Sequence, residues 1–205
     1  MKNKFIYIVL VLPVFFSACL ILPEQKNKEE IKQPVKISPL QAKIIKADSL
    51  AKKQNWIEAF KLYSDAKKDT DDFKQYQNIQ LKKVAVLIGM KNYQAALVAL
   101  APMPELPATL NDCKKLALAS TILDKMNSKK EYVEALLEVA LDNSIDEAGA
   151  IEFKAAGYAQ LGRLYIKNKK IPRAIKAFKY ASELYEMINN QEQAKVCKNI
   201  MDYLR

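Results

Sequence analysis

Histidine is absent from the chain. That removes Ser-His-Asp triads, Cys-His pairs and imidazole metal sites together, and leaves carboxylate, lysine or tyrosine chemistry as possible in principle. Such a centre would need these groups gathered in one cleft with shifted protonation, and no spacing in the chain suggests it. No catalytic residue, metal ligand or cofactor is therefore assigned, and a non-enzymatic protein is expected. Asp69, Asp71 and Asp72 form an acidic cluster. A calcium loop would need a glycine turn and a distant glutamate in register, and both are missing. The cluster is expected to cap and charge the start of the following helix. Lys167, Lys169, Lys170, Arg173, Lys176 and Lys179 make the densest basic region. It reads either as a solvated turn and helix face or as a surface for anionic lipid or an acidic partner. Trp56, the only tryptophan, is placed to pack at a turn between helices rather than to meet a ligand.

The elements that must carry these residues are helical. Half of the chain is hydrophobic and glycine occurs four times. Alanine, leucine, lysine, glutamate and glutamine dominate the remainder, side chains that lose little rotamer freedom on a helix. The net charge is +10, yet lysines alternate with glutamates without a dense run. That favours a solubilising surface over nucleic-acid binding, and the export signal described next disfavours nucleic acid further.

Residues 1–18 have the layout of a secretory signal. Lys2 and Lys4 precede an apolar stretch from Phe5 to Phe16, and small residues Ser17 and Ala18 follow. The stretch is short for a spanning helix, which needs roughly 20 apolar residues. Phe16-Ser17-Ala18-Cys19 resembles a bacterial lipobox. The resemblance implies acylation of Cys19 and cleavage before it, so that Cys19 becomes the lipid-bearing N-terminus. Phe16 departs from the aliphatic residue usual there. An uncleaved anchor, extended by Leu20, Ile21 and Leu22, and an ordinary cleaved signal are the alternatives. Leu20, where inner-membrane lipoproteins often carry aspartate, points to the outer membrane facing the periplasm. From Cys19 to Pro39 the chain reads as a flexible linker, interrupted by Pro23, Pro34 and Pro39 and too polar to order itself.

The rest repeats. Asn55-Trp56-Ile57-Glu58-Ala59, Asn92-Tyr93-Gln94-Ala95-Ala96, Glu131-Tyr132-Val133-Glu134-Ala135 and Lys170-Ile171-Pro172-Arg173-Ala174 share one pattern, their final alanines 37, 39 and 39 residues apart. Each alanine is followed by an apolar pair at helical spacing and preceded by another helical stretch. Each unit is thus expected to be two antiparallel helices, over about 40–69, 73–103, 109–142 and 148–189. Pro102, Pro104 and Pro107 should cut the second unit's last helix short. An amphipathic helix over 191–205, with Ala194, Cys197, Met201 and Leu204 on one stripe, should cap the last unit.

In the fourth unit Tyr158, Leu161, Gly162, Tyr165, Ala174, Phe178 and Ala181 resemble the tetratricopeptide repeat. Ala59, Tyr63, Ala96 and Ala135 take matching core places. The resemblance covers residues 40–190 and implies an all-α superhelix, a solenoid of about four helix-turn-helix repeats. The period exceeds the family's 34, and the usual closing proline is absent at Glu186. Cys113 and Cys197 fall about two repeats apart. With helices packed about 8–10 Å apart against the ~7 Å reach of a disulfide, both are expected as buried free thiols.

The family's groove positions map onto Ile44, Asp48, Leu81, Ala85, Ile88, Ser120, Asp124, Ala159, Arg163 and Ile166. The basic clamp that some members use to grip terminal carboxylates is not reproduced, since Ile44 and Asp48 stand in its place. An apolar groove suits an extended or helical segment of a partner. The reading is a membrane-tethered scaffold of the cell envelope that binds other envelope proteins, held by its acyl anchor in membrane lipid. The alternative is an envelope receptor for a small molecule or glycan, which would need a concave pocket of exposed aromatic rings.

Overall fold

The computed structural model describes residues 37–101, 107–143 and 148–205. The signal segment, Cys19, the linker up to Lys36, Pro102 and Pro104 lie outside the described residues. Nine helices and no strand are present among them: α1 Pro39–Lys52, α2 Trp56–Lys68, α3 Phe73–Gly89, α4 Tyr93–Leu100, α5 Leu110–Lys125, α6 Lys130–Asp142, α7 Ala150–Lys167, α8 Ile171–Met187 and α9 Gln191–Leu204. Helix α1 packs on α2 and α2 on α3, and each of α5 to α9 packs on the next, which makes this an all-α fold of the helical-repeat kind. The chain divides into two compact units at residues 99 and 100, the first built on α1 to α4 and the second on α5 to α9.

One turn recurs five times. Gln54, Lys91, Asn127, Lys169 and Asn189 adopt φ between 56° and 60°. The amide of each donates to the carbonyl three residues back, and the next amide donates five residues back, as in Asn55 to Leu50 and Lys170 to Tyr165 (2.9 and 2.8 Å). This is the Schellman closure of a helix C-terminus, in which a left-handed residue lets two amides satisfy otherwise unpaired carbonyls. The turn sends the next helix back along the last one.

The turn also fixes where the two helices cross. Seven residues before each left-handed residue stand Ala47, Val84, Ser120, Gly162 and Ser182. Ala59, Ala96, Val133, Ala174 and Ala194 stand early in the helix that follows. All ten are buried. At two crossings a hydroxyl donates across the seam, Ser120 to the Val133 carbonyl at 2.7 Å and Ser182 to the Ala194 carbonyl at 3.4 Å. Small side chains at these levels let the backbones approach, and larger neighbours fill the flanks.

This geometry corrects one expectation. Ala135 is exposed, and Val133 takes the buried place. The buried place lies six residues after the left-handed Asn127, one more than in the other turns, and Ala135 stands two residues beyond it. Helix α6 starts three residues after its left-handed residue, whereas α2, α4, α8 and α9 start two after theirs. Ala59, Tyr63, Ala96, Leu161, Gly162, Tyr165, Ala174, Phe178 and Ala181 are buried, and Tyr158 is half-buried.

In the first unit Ile44, Ala47, Ala51, Ala59, Tyr63, Ala66, Ile79 and Val86 form one core, with Trp56 packed on it. A methyl added at Gly89 would lie 2.9 Å from the Trp56 indole. In the second unit α9 packs on α8 and buries Ala194, Cys197 and Met201 against Phe178, Ala181 and Tyr185. Its other face is polar. Cys113 and Cys197 are both buried and are not bonded to each other. Helix α4 is eight residues long and ends at Leu100.

Three of the five left-handed positions hold residues that dislike that conformation, at a cost of about 1–2 kcal/mol each. Glycine removes that cost but loses more freedom on folding. Gln54→Gly, Lys91→Gly and Lys169→Gly are each expected to stabilise the fold by about 0.5–1 kcal/mol in urea titrations. Asn127→Gly and Asn189→Gly should change it little, because asparagine tolerates this region. In contrast, Gly162→Ala places a methyl 2.7 Å from the buried Phe178 ring. It should destabilise by about 1–2 kcal/mol despite the better helix propensity of alanine.

Candidate functional site

The residues expected to line a groove fall into four groups. Ile44, Leu81, Ser120 and Ala159 are buried, which corrects their assignment as partner-facing. Ile44 belongs to the first unit's core, and Ser120 is the crossing residue of α5 and α6. Asp48 and Asp124 instead tie first helices together. The Asp48 carboxylate accepts from Lys82 of α3 at 2.6 and 2.7 Å, and from the Tyr63 hydroxyl of α2. Asp124 of α5 accepts from Lys167 of α7 at 2.6 Å, and Gln160 of α7 donates to Thr121 of α5 at 2.8 Å. Arg163 and Ile166 lie beside α9: Ile166 packs on the cluster containing Ala194, Cys197 and Met201, and Arg163 is close enough to act on the Cys197 thiol. Burial raises that thiol to about 11, and the Arg163 charge opposes the rise. Ala85 and Ile88 remain half-buried on α3.

The basic region around the α7–α8 turn is largely engaged. Glu134 is only 4 % exposed. Its carboxylate accepts from Lys170 and from the Asn168 amide, both at 2.5 Å. One turn along α6, Glu138 accepts from the Tyr165 hydroxyl at 2.5 Å. Burial first, then Glu138, pushes the Tyr165 phenol well above its ordinary range. Arg173 lies over the Tyr165 ring and Lys176 over the Tyr180 ring, at 5.9 and 5.8 Å from the ring centroids. Lys167 pairs with Asp124 and Lys179 with Glu183. The patch therefore holds α6, α7 and α8 together, and Lys169 sits exposed at the left-handed turn position.

The acidic cluster divides its tasks. The Asp72 side chain caps α3 through the Gln75 amide at 2.6 Å, and Asp69 pairs with Lys43 of α1. Among the described residues no group of three or more acidic or cysteine side chains is placed to hold a metal ion.

Sequence reasoning missed the strip between α2 and α3. Lys67 extends over the Tyr76 ring at 4.3 Å from its centroid, and Lys83 over the Phe60 ring at 4.7 Å. Gln80 stands between them, accepting from Lys67 at 2.7 Å and donating to the Ala99 carbonyl of α4 at 2.8 Å. Burial holds the Lys83 ammonium below its ordinary range, and Lys67 and Lys68 push it the same way against Tyr76. The available signal was a matched pair of stripes, Phe60-Ser64-Lys67 on one helix and Tyr76-Gln80-Lys83 on the next.

No family model matches the chain, and no curated protein or solved structure matches it.

Removing one partner from a buried ion pair leaves a charge that the interior cannot solvate. Lys170→Ala strands the Glu134 carboxylate with Asn168 as its one remaining partner, and a loss of about 2–3 kcal/mol is expected in urea titration. Replacing both, as Glu134→Leu with Lys170→Met, should recover most of that loss. A double variant as unstable as Lys170→Ala would show that the pair is not what holds this turn.

Proposed function

We propose that the protein is a membrane-tethered interaction scaffold of the bacterial cell envelope, which binds segments of partner proteins on a tetratricopeptide-like surface. The observation that carries this reading is the fivefold recurrence of one turn with small crossing residues. Each hairpin closes on its own backbone geometry and a few buried side chains. The exposed side chains of the helices are thereby released from holding the fold, which suits a surface whose contacts are set locally. Every acid of the polar seams is occupied by a lysine, a tyrosine or an asparagine, an arrangement that suits a scaffold better than a reaction centre. The tether in this reading is acyl lipid on Cys19, with the protein on the outer membrane facing the periplasm and the linker spacing the helices from the bilayer.

The test is incorporation of labelled palmitate in a bacterial host, wild type against Cys19→Ala, followed by crosslinking of the membrane fraction. Label in the wild type alone, with the same partner captured repeatedly and lost when the Cys19→Ala chain is released from the membrane, is the expected result. Absence of label from both forms would overturn the lipid tether and leave a signal anchor or a cleaved signal.

A further inference from the structure

The strip between α2 and α3 has an unusual charge arrangement. Lys67 and Lys83 make no ion pair among the described residues, whereas Lys43, Lys82, Lys167, Lys170 and Lys198 each meet a carboxylate within 2.6 Å. Both unpaired ammonium groups lie down across aromatic rings instead of extending into water. Ring faces attract cations but leave the outward side of each ammonium with spare donors. Lys67 donates to Gln80, itself anchored to α4, so its head is held in place. Lys67 and Lys68 act against the Lys83 charge, and a carboxylate placed at the strip would offset that repulsion.

We propose that this strip is a docking site for an extended acidic segment of a partner protein, with carboxylates on alternate residues. The proposal rests on the scaffold reading above and names the chemistry of its partner. The backbone levels along the strip are offset by about 5–10 Å, since Lys83 lies three residues beyond Gln80 and Lys67 seven beyond Phe60 at about 1.5 Å rise per residue. Side chains on one side of an extended chain recur about every 7 Å. Two acids separated by a single residue therefore match the strip, and Tyr76 and Phe60 offer apolar surface to the residues beside them.

An anionic membrane plane fits the same face poorly. Asp65, Asp69, Asp71 and Asp72 surround the α2–α3 connection, and Asp65 and Asp69 already pair with Lys68 and Lys43. A flat anionic surface would have to approach these acids together with the lysines, while a single segment can follow the strip and avoid them. Recessed lysines also suit a ligand that enters the strip, whereas binding to lipid heads favours side chains that reach outward. The lysines act as point charges, with no arginine fork or row of backbone amides that would select phosphate.

The test uses the full chain in detergent micelles and a fluorescent peptide of alternating serine and glutamate, with alternating serine and glutamine as its control. The glutamate peptide should bind at least about tenfold more tightly than the control and weaken with added salt. Lys67→Gln with Lys83→Gln should lose most of that binding. Lys46→Gln with Lys53→Gln, an equal charge change on the exposed parts of α1 and its turn, should retain it. Far-UV circular dichroism and the urea midpoint of Lys83→Gln should be unchanged or higher, since a half-buried ammonium is removed. Equal loss in both double variants, no preference for glutamate, or no binding by the wild type would each overturn the proposal. So would anionic vesicles whose cosedimentation depends on Lys67 and Lys83 while the peptide does not bind. The crosslinking test of the scaffold does not involve these lysines, so a repeatedly captured partner beside a silent peptide sinks this inference alone.

Discussion

Close approach at the helix crossings is the constraint from which the other features follow. A helix that ends on a left-handed residue must send its successor back antiparallel, and the pair can meet only if the crossing level is small on both sides. Ala47 with Ala59 and Gly162 with Ala174 meet this requirement by having little side chain at all. Val84 is offset by Ala96, and the larger Val133 is faced by Ser120, whose hydroxyl is spent on the Val133 carbonyl. The sum of sizes is what the geometry restricts, because interiors are packed near crystal density and an extra methyl has nowhere to go. Bulky residues fill the space beside these positions: Tyr63 and Leu137 are fully buried, and the buried Phe178 ring lies against Gly162.

Polar seams reinforce this arrangement where apolar packing would leave register loose. Asp48 joins three helices of the first unit by accepting from both Tyr63 and Lys82. Glu134 and Glu138, one turn apart on α6, do the same for α7 and its following turn. A buried carboxylate tolerates only partners at hydrogen-bonding distance, so each such contact penalises a helix that slides by a residue. Burial of the Tyr63 and Tyr165 rings under these hydroxyl contacts pushes both phenols up, which keeps them as donors throughout the range in which the carboxylates are charged.

The repeat was legible because its turn leaves a local trace. A helix-breaking or polar residue, a helix start and an alanine at fixed spacing mark α2, α4 and α8, and the stripe of Ala194, Cys197 and Met201 marks α9. The third unit was misread by two residues because Ala135 continued the alanine spacing of its neighbours, while the buried place, six residues after Asn127, falls on Val133. Ile44, Leu81, Ser120 and Ala159 were read as partner-facing but are buried, for a related reason. A family pattern fixes which face of a helix a residue occupies only to within the width of one side chain, and the boundary between groove and core runs through that width. The α2–α3 strip left two matched stripes in the sequence but was missed for a different reason. Its meaning depends on which residue of one helix lies level with which residue of the next, and antiparallel register across a turn is not encoded in the periodicity of either helix alone.

The charge balance shows why such a strip exists somewhere on the chain. There are 33 lysines and arginines against 23 acids, so even complete pairing would leave ten cations without a carboxylate. The acids have gone first to the seams, where an unpaired charge would be most costly. Cations in excess must then stand in water or over a π face, and Lys67, Lys83, Arg173 and Lys176 take the second course. The two pairs differ in what surrounds them. Arg173 lies over Tyr165, whose hydroxyl is committed to Glu138, so negative charge is already close at hand. Lys83 has Lys67 and Lys68 acting against its charge, with Tyr76 opposing them. A surface that has used its own acids to hold its helices together is left with cations whose natural counterpart has to come from another molecule.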